Sequence, residues 1–137
     1  MFKVLRTSEP IIARAISFGW FKRVYIGSRF DTLPPNEQLA ALTHEEGHCA
    51  GHHTEMRIAC LLLAPWLLGW LCRRQEFEAD RYSSQRGHTE SLLQILKDDE
   101  PGNWLSPSHR DRRERIIQSF MSTFARPPLR VNSPGSA

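Results

Sequence analysis

Residues 44 to 48, His44-Glu45-Glu46-Gly47-His48, fit the pattern H-E-x-x-H. On a helix, positions four apart lie on the same face. His44 and His48 can therefore close on one metal ion, with Glu45 a step round the same turn. Such a site uses two imidazoles to bind zinc, and the glutamate takes a proton from a water held on the metal. Five residues alone are a weak signal, so the rest of the chain must supply what they lack.

The flanking residues predict the helix. Pro34-Pro35 suits a helix start, because proline in the first turn loses no needed N–H. Glu37 then falls where a negative charge complements the helix dipole. The predicted helix runs from about Asn36 to His53, and Leu39, Ala40 and Leu42 begin its buried side.

A catalytic zinc takes three protein ligands and keeps one open position. The longer pattern H-E-x-x-H-x-x-G-x-x-H would supply a third histidine. Gly51 occupies its glycine position, but Thr54 stands where that histidine is needed, and His53 comes one residue early. A second helix offers an alternative in Glu76-Phe77-Glu78-Ala79-Asp80. Glu76 and Asp80 are four apart and share a face. Glu76 can ligate, while Asp80 can accept the N–H of a ligating histidine and fix its tautomer. Glu78 points away from both. His52 and His53 read as supporting or surface groups.

With these two motifs in order, the chain resembles the gluzincin metallopeptidases of the HtpX and type I CAAX prenyl protease group, in a compact minigluzincin-like form. The resemblance covers about residues 22 to 120. It implies zinc ligation by His44, His48 and Glu76, with one Zn2+ per chain. Glu45 matches the general base and Asp80 the acceptor behind a histidine ligand. Ser108-His109, with Arg115-Ile116 further on, is similar to the family's S-H-P-x-x-x-x-R-I segment, although Arg110 stands at the proline position. The resemblance thus implies that His109 and Arg115 face the active site, where a cationic group steadies the oxyanion of peptide hydrolysis. It also implies that the strand holding Val24, Tyr25, Ile26 and Gly27 is an edge to which an extended peptide substrate pairs by its backbone. The expected fold is α+β, mainly α: a zincin-like arrangement of an H-E-x-x-H helix, a glutamate helix and a small edge sheet. The expected activity is zinc-dependent endopeptidase. The alternative is a latent or inactive zinc-binding module of the same fold that serves a regulatory or partner-binding role.

The remaining stretches set the context. The chain has 137 residues, so one domain is expected over 1–125, with a loose proline-rich tail at 126–137. Residues 10–21 read as a short helix, and Arg23 to Phe30 as a strand in which Gly27 marks a bulge or a close backbone approach. Residues 58–72 are almost wholly apolar. Such a helix spans about 22 Å, short of the ~30 Å hydrocarbon core. It reads either as a buried hairpin or as one that dips into a membrane or binds a partner through Trp66 and Trp70. Further helices are expected at 73–86, ended by Gly87, at 89–97, and from a Ser108/Asp111 capping box, with Ile116, Ile117, Phe120, Met121 and Phe124 as its core stripe.

The net charge of +3 is too small to argue for nucleic acid. Acidic Asp111 and Glu114 interrupt the run of arginines 110–115, so no nucleic acid partner is expected. Three cysteines (Cys49, Cys60, Cys72) at irregular spacing make no disulfide framework and suit a reducing compartment. No signal peptide is read, and the expected location is cytoplasmic, with membrane association through 58–72 left open.

Overall fold

The computed structural model describes residues 2–124, so the expected tail at 126–137 lies outside the described residues. The fold is α+β and mainly helical. Three strands come first: β1 (Lys3–Arg6), β2 (Ala13–Phe18) and β3 (Phe21–Ile26). They form one sheet in the order β1-β3-β2, with β1 parallel and β2 antiparallel to β3. Phe18 pairs with Phe21 across a two-residue turn. Gly19 takes φ +56° at the first turn position, a conformation open to glycine at little cost.

The helix expected over 10–21 is therefore a strand. Its burial alternates with period two, but the apolar side faces out: Ile16 and Phe18 are exposed, while Ser17 is 1% exposed. A search for an inward apolar face picks the wrong residues here. The close approach at Gly27 is present, since a Cβ there would collide with the carbonyl oxygens of Glu9 and Ile11.

Among the described residues, five α-helices follow: α1 (Pro35–Ala50), α2 (His53–Leu63), α3 (Leu68–Ser83), α4 (Thr89–Ile95) and α5 (His109–Phe124). The helix predicted over 36–53 ends early. Gly51 caps α1, and His52 adopts a left-handed φ of 53°, which turns the chain into α2. Gly87 (φ 90°) breaks the path between α3 and α4, as a helix-ending glycine does. The Ser108 hydroxyl accepts the Asp111 N–H at 3.1 Å and caps α5.

α1 is the centre of the packing. Ala41 joins Val24, Ile26 and Phe30 under the sheet, while Ala40 joins Leu92, Leu96 and Ile116 under α4 and α5. Leu39, expected inside, is exposed, because the inward face of α1 runs through Ala40, Thr43, His44 and Gly47. In α5, among the described side chains of the expected stripe, Ile116 is buried and Ile117, Phe120 and Met121 are exposed; the Phe124 side chain lies outside them. The 58–72 stretch is not a buried hairpin. It comprises the end of α2, a turn at Pro65–Leu67 and the start of α3, and Leu62 and Trp66 are 76% and 74% exposed at its tip. Among the described residues, no helix is long and apolar enough to cross a membrane.

Candidate metal centre

Two helices with matched spacing build the site. α1 presents His44, Gly47 and His48; α3 presents Glu76, Ala79 and Asp80. Each set follows the i, i+3, i+4 spacing of one helical face. The small residue in the middle of each set lets the helices approach. A Cβ on Gly47 would lie 3.1 Å from the Ala79 Cα and from the Tyr82 Cβ. One turn further along, the buried Ser83 hydroxyl donates to the Ala40 carbonyl at 3.1 Å and pins the same crossing.

This approach brings His44, His48 and Glu76 together, with one ligand atom from each within 4.8 Å of the others. The two Nε2 atoms are 3.2 Å apart. Glu76 Oε2 is 3.5 Å from His44 Nε2, and Oε1 is 3.5 Å from His48 Nε2. Zinc–ligand bonds of about 2.0–2.1 Å give a tetrahedron with edges of about 3.3–3.4 Å. The Nε2–Nε2 distance lies close to that edge, each Glu76 oxygen approaches a different imidazole at 3.5 Å, and two nitrogens with a carboxylate are an ordinary zinc donor set. The residues therefore fit a metal ion.

The carboxylates already concentrate positive charge at this point. Burial pushes the His44 imidazole down, but the Asp80 and Glu76 carboxylates outweigh it and hold its pKa at about 9. Burial likewise pushes Glu76 up, while contacts with His44 and His48 win and keep it well below the carboxylate range. Asp80 is depressed to about 2: burial opposes, but the Arg112 hydrogen bonds and the contact with His44 prevail.

Behind the ligands stand their supports. Asp80 Oδ1 is 2.9 Å from His44 Nδ1. The pair is close but out of line for a well-directed hydrogen bond, which leaves Nδ1 a buried polar atom without a well-aligned partner. Arg112 grips Asp80 with two bonds, Nε to Oδ2 at 2.8 Å and Nη2 to Oδ1 at 2.6 Å. Arg57 donates to Glu76 Oε1 at 3.2 Å and to Gln75 Oε1 at 2.6 Å. His53 Nδ1 lies 2.7 Å from His48 Nδ1, and burial together with His48 pushes the His53 pKa down to about 4.

A cavity of about 410 Å3 opens over the triad, with Glu45, Ala15, His109 and Arg112 in its wall. Glu45 Oε2 accepts the Ala15 N–H from β2 at 2.6 Å. β2 pairs with β3 on one side only, so its other edge faces this cavity.

Three expectations about the site change. Val24, Tyr25 and Ile26 are not on an edge: β3 is the central strand, paired with β1 and β2 on its two sides. The Gly27 N–H is also taken, by the Ile12 carbonyl at 3.1 Å. The edge beside the cavity belongs to β2, and its Ala15 and Ser17 N–H groups donate to the Glu45 and Thr54 side chains. Arg115 does not face the triad; its guanidinium lies 4.5 Å from the centre of the Phe77 ring, in a separate groove between α3 and α5. His109 does reach the cavity wall, with Nδ1 2.8 Å from the Asp98 carbonyl oxygen.

Arg112, His53, Gln75 and Ala15 are site residues that the motifs do not name. Arg112 had a signal: it lies four before Ile116, so it shares the buried face of α5. His53 is one of the two histidines expected as supporting or surface groups; Gln75 and Ala15 had no signal, because their places depend on the turn at His52 and on which strand is outermost. No protein-family model, curated protein or solved structure matches the chain.

Proposed function

We propose that this chain is a zinc-dependent endopeptidase of zincin-like architecture. The observation that carries this reading is the convergence of His44 Nε2, His48 Nε2 and the Glu76 carboxylate at 3.2–3.5 Å, beside Glu45 and the outer edge of β2. A bound zinc ion supplies a Lewis acid for the scissile carbonyl and acidifies water towards a pKa of about 7.

The remaining work falls to the protein's own groups. His44 and His48 serve as neutral donors, so acid opposes binding. Asp80, itself clamped by Arg112, orients His44. Glu45 takes a proton from the attacking water and passes it to the leaving amine. The outer edge of β2 at Ala13 and Ala15 offers backbone groups to an extended peptide. His109, in the cavity wall, is the cationic candidate for the oxyanion.

A second reading has one observation in its favour. The Glu45 carboxylate is tied to the Ala15 N–H at 2.6 Å, so the base and the substrate edge occupy each other. A latent module would look like this, and so would an enzyme in which an arriving strand takes the Ala15 N–H and releases Glu45.

Zinc per purified chain, measured for the wild type and for Glu76→Ala, is the first test. About one zinc in the wild type and clearly less in the variant are expected. Absence of zinc from the wild type after loading would overturn the reading. Cleavage of unstructured protein substrates then separates the active from the latent form.

A further inference from the structure

His48 is braced by a group that the ligand motif does not require. The chain reverses at Gly51 and His52, and His52 takes a left-handed φ of 53°, uncommon for a residue with a side chain. A Cβ on Gly51 would strike the imidazole of His53, so that space is left for the ring. His53 is 3% exposed, and its carbonyl accepts from buried Gln75 Nε2 at 3.4 Å. The turn, the missing Cβ and Gln75 together hold one imidazole against the back of His48.

A His48 Nε2 that binds a metal must be bare, and the nitrogens then leave one consistent assignment. His53 Nδ1 is 2.7 Å from His48 Nδ1, and His53 Nε2 is 3.4 Å from Glu78 Oε2. A neutral imidazole carries one N–H. If His53 Nδ1 carried it, the bare Nε2 would face a carboxylate oxygen, acceptor against acceptor. His48 would then hold its own hydrogen on Nε2, the atom that points to His44 and Glu76. With the hydrogen on His53 Nε2, both outer contacts have a donor, and the contact of His48 Nε2 with Glu76 Oε1 at 3.5 Å is left for a cation to fill. His53 donates to Glu78, His48 Nδ1–H donates to His53, and His48 Nε2 presents its lone pair to the centre of the triad.

We propose that His53 and Glu78 form a positioning relay that fixes His48 in the Nδ1–H tautomer. The proposal rests on the metal-binding reading of the triad. It gives His48 what Asp80 and Arg112 give His44: an outer carboxylate, on α3 in both cases, that orients the ring. His53 touches no reacting atom in this scheme; it acts through His48.

The test uses the full chain with His53→Leu, His53→Gln and Glu78→Gln, reading zinc affinity by chelator competition and the His48 tautomer by nitrogen NMR of the metal-free protein. His53→Leu is expected to weaken zinc binding by about 10–100-fold and to mix the His48 tautomers. His53→Gln, whose amide oxygen can accept from His48 Nδ1–H, should recover most of the loss; a purely space-filling role would not be rescued in this way. Glu78→Gln should lie between the wild type and His53→Leu. Unchanged zinc affinity and tautomer in His53→Leu would overturn the relay. If that variant does not fold, Glu78→Gln decides alone, because Glu78 is about half exposed and an unchanged affinity and tautomer there overturn the relay equally. If the wild type binds no zinc, the metal reading fails, and the NMR still judges the relay: a wild-type His48 with its hydrogen on Nε2 refutes it.

Discussion

Gly47 on α1 lies directly against Ala79 on α3, so close that a Cβ on Gly47 would stand 3.1 Å from the Ala79 Cα. This contact sets the distance between the two histidines on one helix and the glutamate on the other. Gly47→Val is expected to force the helices apart, at a cost of about 1–3 kcal/mol in stability. It should also widen the triad and weaken zinc binding at least tenfold. Thermal unfolding and zinc titration check the two effects separately. A variant that keeps both would mean that the crossing does not set the site.

In the proposed mechanism Glu45 transfers a proton and does not ligate; its carboxylate bonds to the Ala15 N–H and is absent from the converging donor set. Glu45→Gln should therefore bind zinc as the wild type does. Its cleavage rate should fall by about 10²–10⁴-fold, the usual contribution of a general base. Stoichiometric zinc together with wild-type turnover in this variant would remove Glu45 from the mechanism.

Buried Asp80 and partly buried Arg112 form a two-bond ion pair. Removing one partner leaves the other with a single poorer contact, Glu76 at 3.7 Å for Arg112 or His44 at 2.9 Å for Asp80. Asp80→Ala should cost about 3–5 kcal/mol, and Arg112→Leu a comparable amount. Asp80→Asn keeps the shape, so it should lose less stability but weaken zinc binding about 10–100-fold by loosening His44. Denaturant unfolding of the three variants without and with zinc distinguishes support of the fold from support of the ligand.

The ligand face was readable because helical spacing is local: His44 and His48 on one turn, and Glu76 and Asp80 on another, need only a helix to be placed. The sheet was not readable in the same way. In β2 the apolar Ile16 and Phe18 face out, and Ser17 faces in to donate to Glu55 Oε2 at 3.1 Å. The inner side of that strand meets the polar wall of the site, so the usual sign of burial is inverted. Which strand is outermost depends on β1, four residues that pair in parallel with β3 from the far end of the segment. The resemblance that pointed to Val24–Gly27 as an edge therefore named the strand beside the true edge. Arg115 follows Arg112 by three positions, an offset of about 60° round α5, and at that offset it meets Phe77 and not the triad.

The two buried histidines predict a stability optimum for the metal-free protein. His53, surrounded by His48, Glu78 and Arg57, is held neutral, with its pKa lowered from 6.5 to about 4. A histidine lowered on folding contributes stability above its unfolded value, and that contribution is lost as the pH falls from about 6.5 to about 4. His44 behaves in the opposite sense. Facing Asp80 and Glu76, with Arg112 opposing, its pKa is raised from 6.5 to about 9. Its contribution is complete below about 6.5 and is lost as the pH rises through about 9. Metal-free protein should therefore be most stable near pH 6.5 and weaken on both sides. His53→Gln should flatten the acid limb only, and Asp80→Asn the alkaline limb only. Saturating zinc should abolish the alkaline limb, because the metal then occupies the place that the His44 proton holds in its absence. Thermal melts from pH 4 to pH 9 in the presence and absence of chelator measure all of this. An alkaline limb that persists with zinc bound would show that the metal and the His44 proton do not compete for the same atom.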